Sequence, residues 1–114
     1  MNSLLLLTKK TLGQVEPEDR AFGESMLLKF LHNLEGQAQE LERVILYTEG
    51  VKLAIKGSES ALSLQFLCDS GVEVLLCQSC LEYYGLDPQE LVGEVSNMQR
   101  IATYLAQANH IISP

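Results

Sequence analysis

The sequence predicts an α/β domain whose mostly parallel sheet carries helices on both faces. Short apolar runs alternate with stretches of helical spacing along the whole chain, and the order strand, helix, strand suits right-handed crossovers. The run Val72-Glu73-Val74-Leu75-Leu76 is nearly continuous in apolar residues, as a strand covered on both sides must be. With 114 residues, 46% of them hydrophobic and 20% charged, a single domain over 1–114 can build a core without disulfide or metal.

The elements follow in order. Residues 3–8 form a first strand, and a polar loop with Gly13 and Pro17 leads to helical spacing at Phe22, Met26, Leu27, Phe30, Leu31 and Leu34. Glu16, Glu18 and Asp19 crowd that helix's first turn, where the dipole favours anions, and Gly36 marks its end. Residues 43–48 give a second strand, and 50–54 a short helical turn. Ser58 or Ser60 caps a helix over Ala61, Leu64, Leu67 and Cys68, with Gly71 as its left-handed terminator. After the third strand at 72–76, a short helix over 80–84 ends at Gly85, and Asp87-Pro88-Gln89-Glu90 starts another turn. Residues 92–95 give a fourth strand and Ser96-Asn97-Met98-Gln99 a capping box. A helix over Ile101, Tyr104, Leu105 and Ala108 precedes a fifth strand at 110–113.

Eight Lys and Arg against fifteen Asp and Glu leave a net charge of −7, which disfavours capture of nucleic acid or an anionic membrane. Leu4 to Leu7 is the only dense N-terminal apolar run, too short for a signal core or a membrane span. The expected location is the cytoplasm. There, a CxxC is more often catalytic or metal-binding than a structural disulfide.

The chemistry centres on Cys77-Gln78-Ser79-Cys80, where the third strand runs into a helix. Amides and dipole at a helix start favour a thiolate, the reactive form of cysteine. Cys68 shares an apolar helical face with Leu64 and Leu67 and reads as a plain core residue. Zinc would need two more ligands, which the isolated His32 and His110 do not supply. No metal or other cofactor is expected, and no Walker or GxGxxG motif is present. Ligands of parallel sheets gather at the carboxyl ends of strands. Loops 8–14, 48–51 and 77–80 all begin at such ends, so Lys9, Lys10, Lys52 and Lys56 are candidates for a cationic rim, and Tyr83 and Tyr84 for the wall of a thiol pocket.

The block Cys77-Gln78-Ser79-Cys80-Leu81-Glu82-Tyr83-Tyr84-Gly85-Leu86, with Gly50-Val51-Lys52-Leu53-Ala54 and Gly93-Glu94-Val95-Ser96-Asn97-Met98 around it and Leu4-Leu5-Leu6-Leu7-Thr8-Lys9-Lys10 at the start, resembles the DsrE/DsrF-like sulfurtransferase family. The similarity is strongest to its YedF-like, selenium-metabolism branch and covers essentially the whole chain. It implies a three-layer α/β/α domain with a five-stranded parallel sheet, the DsrEFH-like arrangement, in homo-oligomers. It also implies a function in sulfane-sulfur handling, with Cys77 matching the persulfide carrier and Cys80 matching the YedF-like branch; CxxC geometry permits Cys80 to act as a resolving or tuning thiol. Asn97 becomes a pocket candidate through the resemblance more than through its own chemistry. Full-length YedF-like proteins usually begin with a TusA-like domain bearing its own cysteine, whereas this chain starts at the first strand of the second domain. A standalone version or an excised piece is expected, with sulfur exchanged with a partner such as a TusA-like domain or a cysteine desulfurase.

Two rivals stand beside the carrier. One is a non-catalytic oligomeric binding module with both cysteines reduced and unreactive. The other is a thioredoxin-like thiol-disulfide reductase, although its CxxC normally follows a strand near the start of the fold.

Overall fold

The computed structural model describes residues 3–114. Five parallel strands, β1 (Ser3–Leu7), β2 (Leu41–Leu46), β3 (Glu73–Cys77), β4 (Glu94–Ser96) and β5 (Ile111–Ile112), form one sheet in the order β4-β3-β2-β1-β5. The four helices are α1 (Arg20–Leu34), α2 (Glu59–Asp69), α3 (Gln78–Tyr84) and α4 (Met98–Gln107), with 3₁₀ turns at Pro17–Asp19, Glu35–Glu40, Thr48–Ala54 and Pro88–Glu90.

Strands β1 to β4 step across the sheet in one direction, whereas β5 returns to the far side of β1. With one hand of crossover, that reversal puts α4 on the opposite face from α1 and α2. Packing agrees. Leu5, Leu7, Val44, Leu46, Val74 and Leu76 meet Leu27 and Leu31 of α1 and Ala61, Leu64 and Leu67 of α2 in the larger core. Alternate residues Leu4, Ile45, Leu75 and Cys77 meet Ile101 of α4 in a smaller one. Ile101 is the only buried residue of α4; losing such a side chain costs about 2–5 kcal/mol.

Glycine is decisive at two positions. Gly71 has φ +97° and ends α2, its N–H donating to the Cys68 carbonyl while the Val72 N–H reaches the Leu67 carbonyl, the left-handed terminator expected there. Gly50 lies so close to the end of β1 that a Cβ would fall 2.0 Å from the Leu7 carbonyl oxygen, which sets the 48–54 turn against the strand-end rim.

Several boundaries depart from expectation. β2 ends at Leu46 because Thr48, at φ +50°, turns the chain away despite the strand preference of Tyr47 and Thr48. α1 stops at Leu34 and the chain runs on through Gly36 as 3₁₀ turn. The acidic residues Glu18 and Asp19 lie in the preceding 3₁₀ turn. β4 begins at Glu94, since the Val92 N–H is taken by the Ala54 carbonyl. Ser58 caps α2 through the Ala61 N–H, while Ser60 turns inward to the Leu53 carbonyl. α4 is capped by Asn97, whose Oδ1 accepts from the Arg100 N–H at 2.9 Å, one residue later than a Ser96 capping box requires.

Candidate dithiol site at the strand ends

Cys77 is both the last residue of β3 and the residue capping α3, so the helix begins at Gln78, two positions before the expected Cys80. Cysteine is not a recognised capping residue, and no side-chain bond closes this cap. The strand's alternation turns Cys77 toward α4, and it is 1% exposed. Cys80, nearly one helical turn on, is half-buried and packs against both cores. All three cysteines are free thiols.

The Cys80 sulfur has a defined partner: the Thr48 N–H donates to its Sγ at 3.0 Å. Thr48 is the only non-glycine described residue at positive φ, a rare state for a β-branched side chain. Its hydroxyl donates toward the Thr8 carbonyl at 2.8 Å and the Tyr47 carbonyl at 2.7 Å. The loops after β1, β2 and β3 therefore converge on one rim, as their strand-end positions require. Burial pushes the Cys80 thiol above its ordinary value; the Thr48 amide opposes this, and the adjacent Cys77 thiol reinforces it. The lowered pKa expected of a cysteine in this motif is thus not found at Cys80. Desolvation outweighs the one amide.

Beside Thr48, Glu49 accepts from the Lys10 N–H at 2.9 Å and pairs with Arg20. Burial pushes its carboxyl up, but the Lys10 amide and the Arg20 guanidinium prevail and hold it below the ordinary value. Lys9, Arg20 and Glu49 line a cavity of about 270 Å³ with Thr11, Gln14 and Pro17 among its other walls, none of them a cysteine. Lys52 places its ammonium 4.4 Å from the Tyr84 ring centre, a cation–π contact that ties the 48–54 turn to α3.

The expected residues divide accordingly. Cys77 and Cys80 come together, and Lys52 joins them only indirectly through Tyr84. Tyr83 is 84% exposed and meets Tyr84 edge-on, so it does not wall a thiol pocket. Asn97 is exposed and caps α4 directly after β4. Cys68 is half-buried against the larger core rather than fully enclosed, and burial, with Asp69 nearby, raises its pKa. Among the described residues, no group of three His, Cys, Asp or Glu is placed to hold a metal ion.

Two residues have roles at the site that the sequence pattern does not show. Thr48 opens the 48–51 loop expected at the rim, but nothing local in the sequence announces its positive φ or the contact of its amide with sulfur. The sequence pattern makes Ser96 a helix cap, yet it is the register partner of Cys77 across β3 and β4. Among the described residues its hydroxyl is the one buried side-chain oxygen or nitrogen without a hydrogen-bond partner.

The fold and site define a class: a parallel α/β domain with a reduced cysteine pair at its strand-end rim. A model of the DsrE/DsrF-like family matches residues 15–114, and the chain belongs to that family. Three solved structures share its fold. The protein of unknown function MTH1491 from Methanobacterium thermoautotrophicum has 20% identity and a TM-score of 0.67, over 99% of this chain and 98% of that one. The ychN protein from E. coli has 17% identity and a TM-score of 0.69 over the same shares. The conserved protein of unknown function BT1422 from Bacteroides thetaiotaomicron has 22% identity and a TM-score of 0.66, over 99% of this chain and 94% of that one. No curated protein matches the sequence.

Proposed function

We propose that this chain is a sulfur carrier of the sulfurtransferase type, closest to the YedF-like branch, holding sulfane sulfur as a persulfide on Cys77. The observation that carries the reading is the reduced pair Cys77 and Cys80 at the rim of a DsrE/DsrF-like domain, with the outer sulfur held by the Thr48 amide. In loading, the Cys77 thiolate attacks the terminal sulfur of a donor persulfide R–S–SH. The donor's S–S bond breaks, R–S⁻ departs with the electron pair, and Cys77–S–SH remains. An acceptor thiolate takes the same sulfur by the reverse displacement. Alternatively, the Cys80 thiolate attacks the Cys77 sulfur, closing a disulfide and expelling HS⁻; two external thiols then reduce the pair by successive exchange and leave as their own disulfide. Selenium in place of sulfur follows the same displacement.

Burial of Cys77 sets a condition on the partner. A TusA-like domain or a cysteine desulfurase must deliver its persulfide to a sulfur that is 1% exposed, beside the half-buried Cys80. A homo-oligomer in the reducing cytoplasm completes the proposal, and no described helix is long and apolar enough to cross a membrane.

Burial of Cys77 and the raised pKa of Cys80 favour a second reading, the non-catalytic binding module. Incubation of the reduced protein with a cysteine desulfurase and cysteine, followed by intact mass spectrometry, separates the two. A reductant-sensitive gain of one sulfur supports the carrier; no gain with a desulfurase or a TusA-like donor leaves the binding module.

A further inference from the structure

We propose that Ser96 is a positioning residue for the sulfur on Cys77, its hydroxyl donating a hydrogen bond to that sulfur in the anionic state. The inference rests on the carrier reading for its role in sulfur transfer, but the contact itself can be tested without it.

Four observations converge. Cys77 and Ser96 are register partners in parallel strands, so their side chains emerge on the same face, one strand spacing of about 4.8 Å apart. Ser96 is 4% exposed. Its Oγ has no hydrogen-bond partner, whereas the Oδ1 of Asn97, the next residue, accepts the Arg100 N–H in capping α4. The cluster on this face is built of Leu4, Ile45, Leu75 and Ile101 with Tyr47, Cys80 and Tyr104 partly buried against it, and none of these bonds the hydroxyl.

An unpartnered buried hydroxyl is unfavourable and calls for an explanation. A thiolate or persulfide anion forming at Cys77, 1% exposed among largely apolar side chains, has the neighbouring Cys80 thiol beside it and gains from a further donor. Placed side by side, the hydroxyl gains an acceptor and the anion a second donor. In the resting thiol state the hydroxyl is idle; when Cys77 loses its proton, the O–H turns to the sulfur. No proton or atom passes from Ser96 in the transfer step, so the balance of the displacement is unchanged.

The test uses Ser96→Ala and Ser96→Thr, each in a Cys80→Ala, Cys68→Ala background so that Cys77 is the only thiol and no new hydroxyl stands beside it. Its titration is followed by thiolate ultraviolet absorbance, beside urea unfolding. Ser96→Ala should raise the Cys77 pKa by about one unit, a tenfold loss of thiolate below it. Thr, which keeps a hydroxyl, should restore the pKa. Because the hydroxyl is unpaired at rest, Ser96→Ala should leave the unfolding midpoint unchanged or higher. An unchanged Cys77 pKa in Ser96→Ala overturns the proposal. A lowered midpoint with no rescue of the pKa by Thr also overturns it, by assigning Ser96 a packing role. Sulfur loading of the otherwise native Ser96→Ala chain is read separately. If the pKa shifts but neither this chain nor the unsubstituted protein loads sulfur, the contact stands and the carrier reading fails.

Discussion

The Thr48 N–H lies 3.0 Å from the Cys80 sulfur and reaches it from a backbone held at φ +50°. Such a conformation costs a β-branched residue about 1–3 kcal/mol and is maintained only where surrounding contacts over-determine it. Here the Thr8 carbonyl fixes the hydroxyl while the amide meets sulfur, so the turn after β2 is anchored from both sides of the rim.

Thr48→Gly should therefore be more stable than Thr48→Ala by about 1 kcal/mol, since both lose the hydroxyl bond and only glycine escapes the left-handed penalty. Urea unfolding of the two variants tests this. Ala above Gly, the order usual elsewhere, would contradict the strain.

Gly50→Ala should be severely destabilising, by about 3 kcal/mol or more, because the new methyl would meet backbone at the end of β1 rather than a side chain that can move. Loss of cooperative urea unfolding or a large fall in midpoint is the expected result.

Cys80 should alkylate slowly at neutral pH. Burial raises its thiol above the ordinary value of 9.0, so the thiolate fraction grows only as pH climbs past that value. Iodoacetamide rates in a Cys77→Ser, Cys68→Ser chain should still be rising at pH 9; a plateau near neutrality would contradict the raised value.

Much of the fold was legible because its signals are local. Gly71 ends α2, Ser58 caps it, and the apolar run through Leu76 forms a strand covered on both faces, each from chemistry within a few residues. The cysteine pair was legible for the same reason: a strand running into a helix puts both thiols at the rim. What was missed depends on contacts distant in sequence. Thr48 looks like strand until the Thr8 carbonyl and the Cys80 sulfur are beside it. Ser96 fits a capping box until Asn97 takes the cap and Cys77 appears as its neighbour in register. The exposure of Tyr83 and the docking of Lys52 on Tyr84 likewise depend on how α3 settles against the 48–54 turn.

Glu49 gives the rim a dependence on acid. Its carboxyl is held below the ordinary value of 4.5, so its contribution to stability is complete above that value and is lost as pH falls through the lower, folded-state value. Glu49→Gln should reduce stability at neutral pH and flatten the acid limb of a midpoint-against-pH curve. An acid limb identical to that of the unsubstituted protein would remove Glu49 from the account.

The most direct measurement is to load the reduced protein with sulfur from a cysteine desulfurase, trap it with an alkylating reagent, and locate the extra sulfur by peptide fragmentation. The carrier account predicts it on Cys77, absent from Cys77→Ser and retained in Cys80→Ser. Extra sulfur found only on Cys80, and abolished by Cys80→Ser, would contradict the assignment and make the half-exposed thiol the carrier.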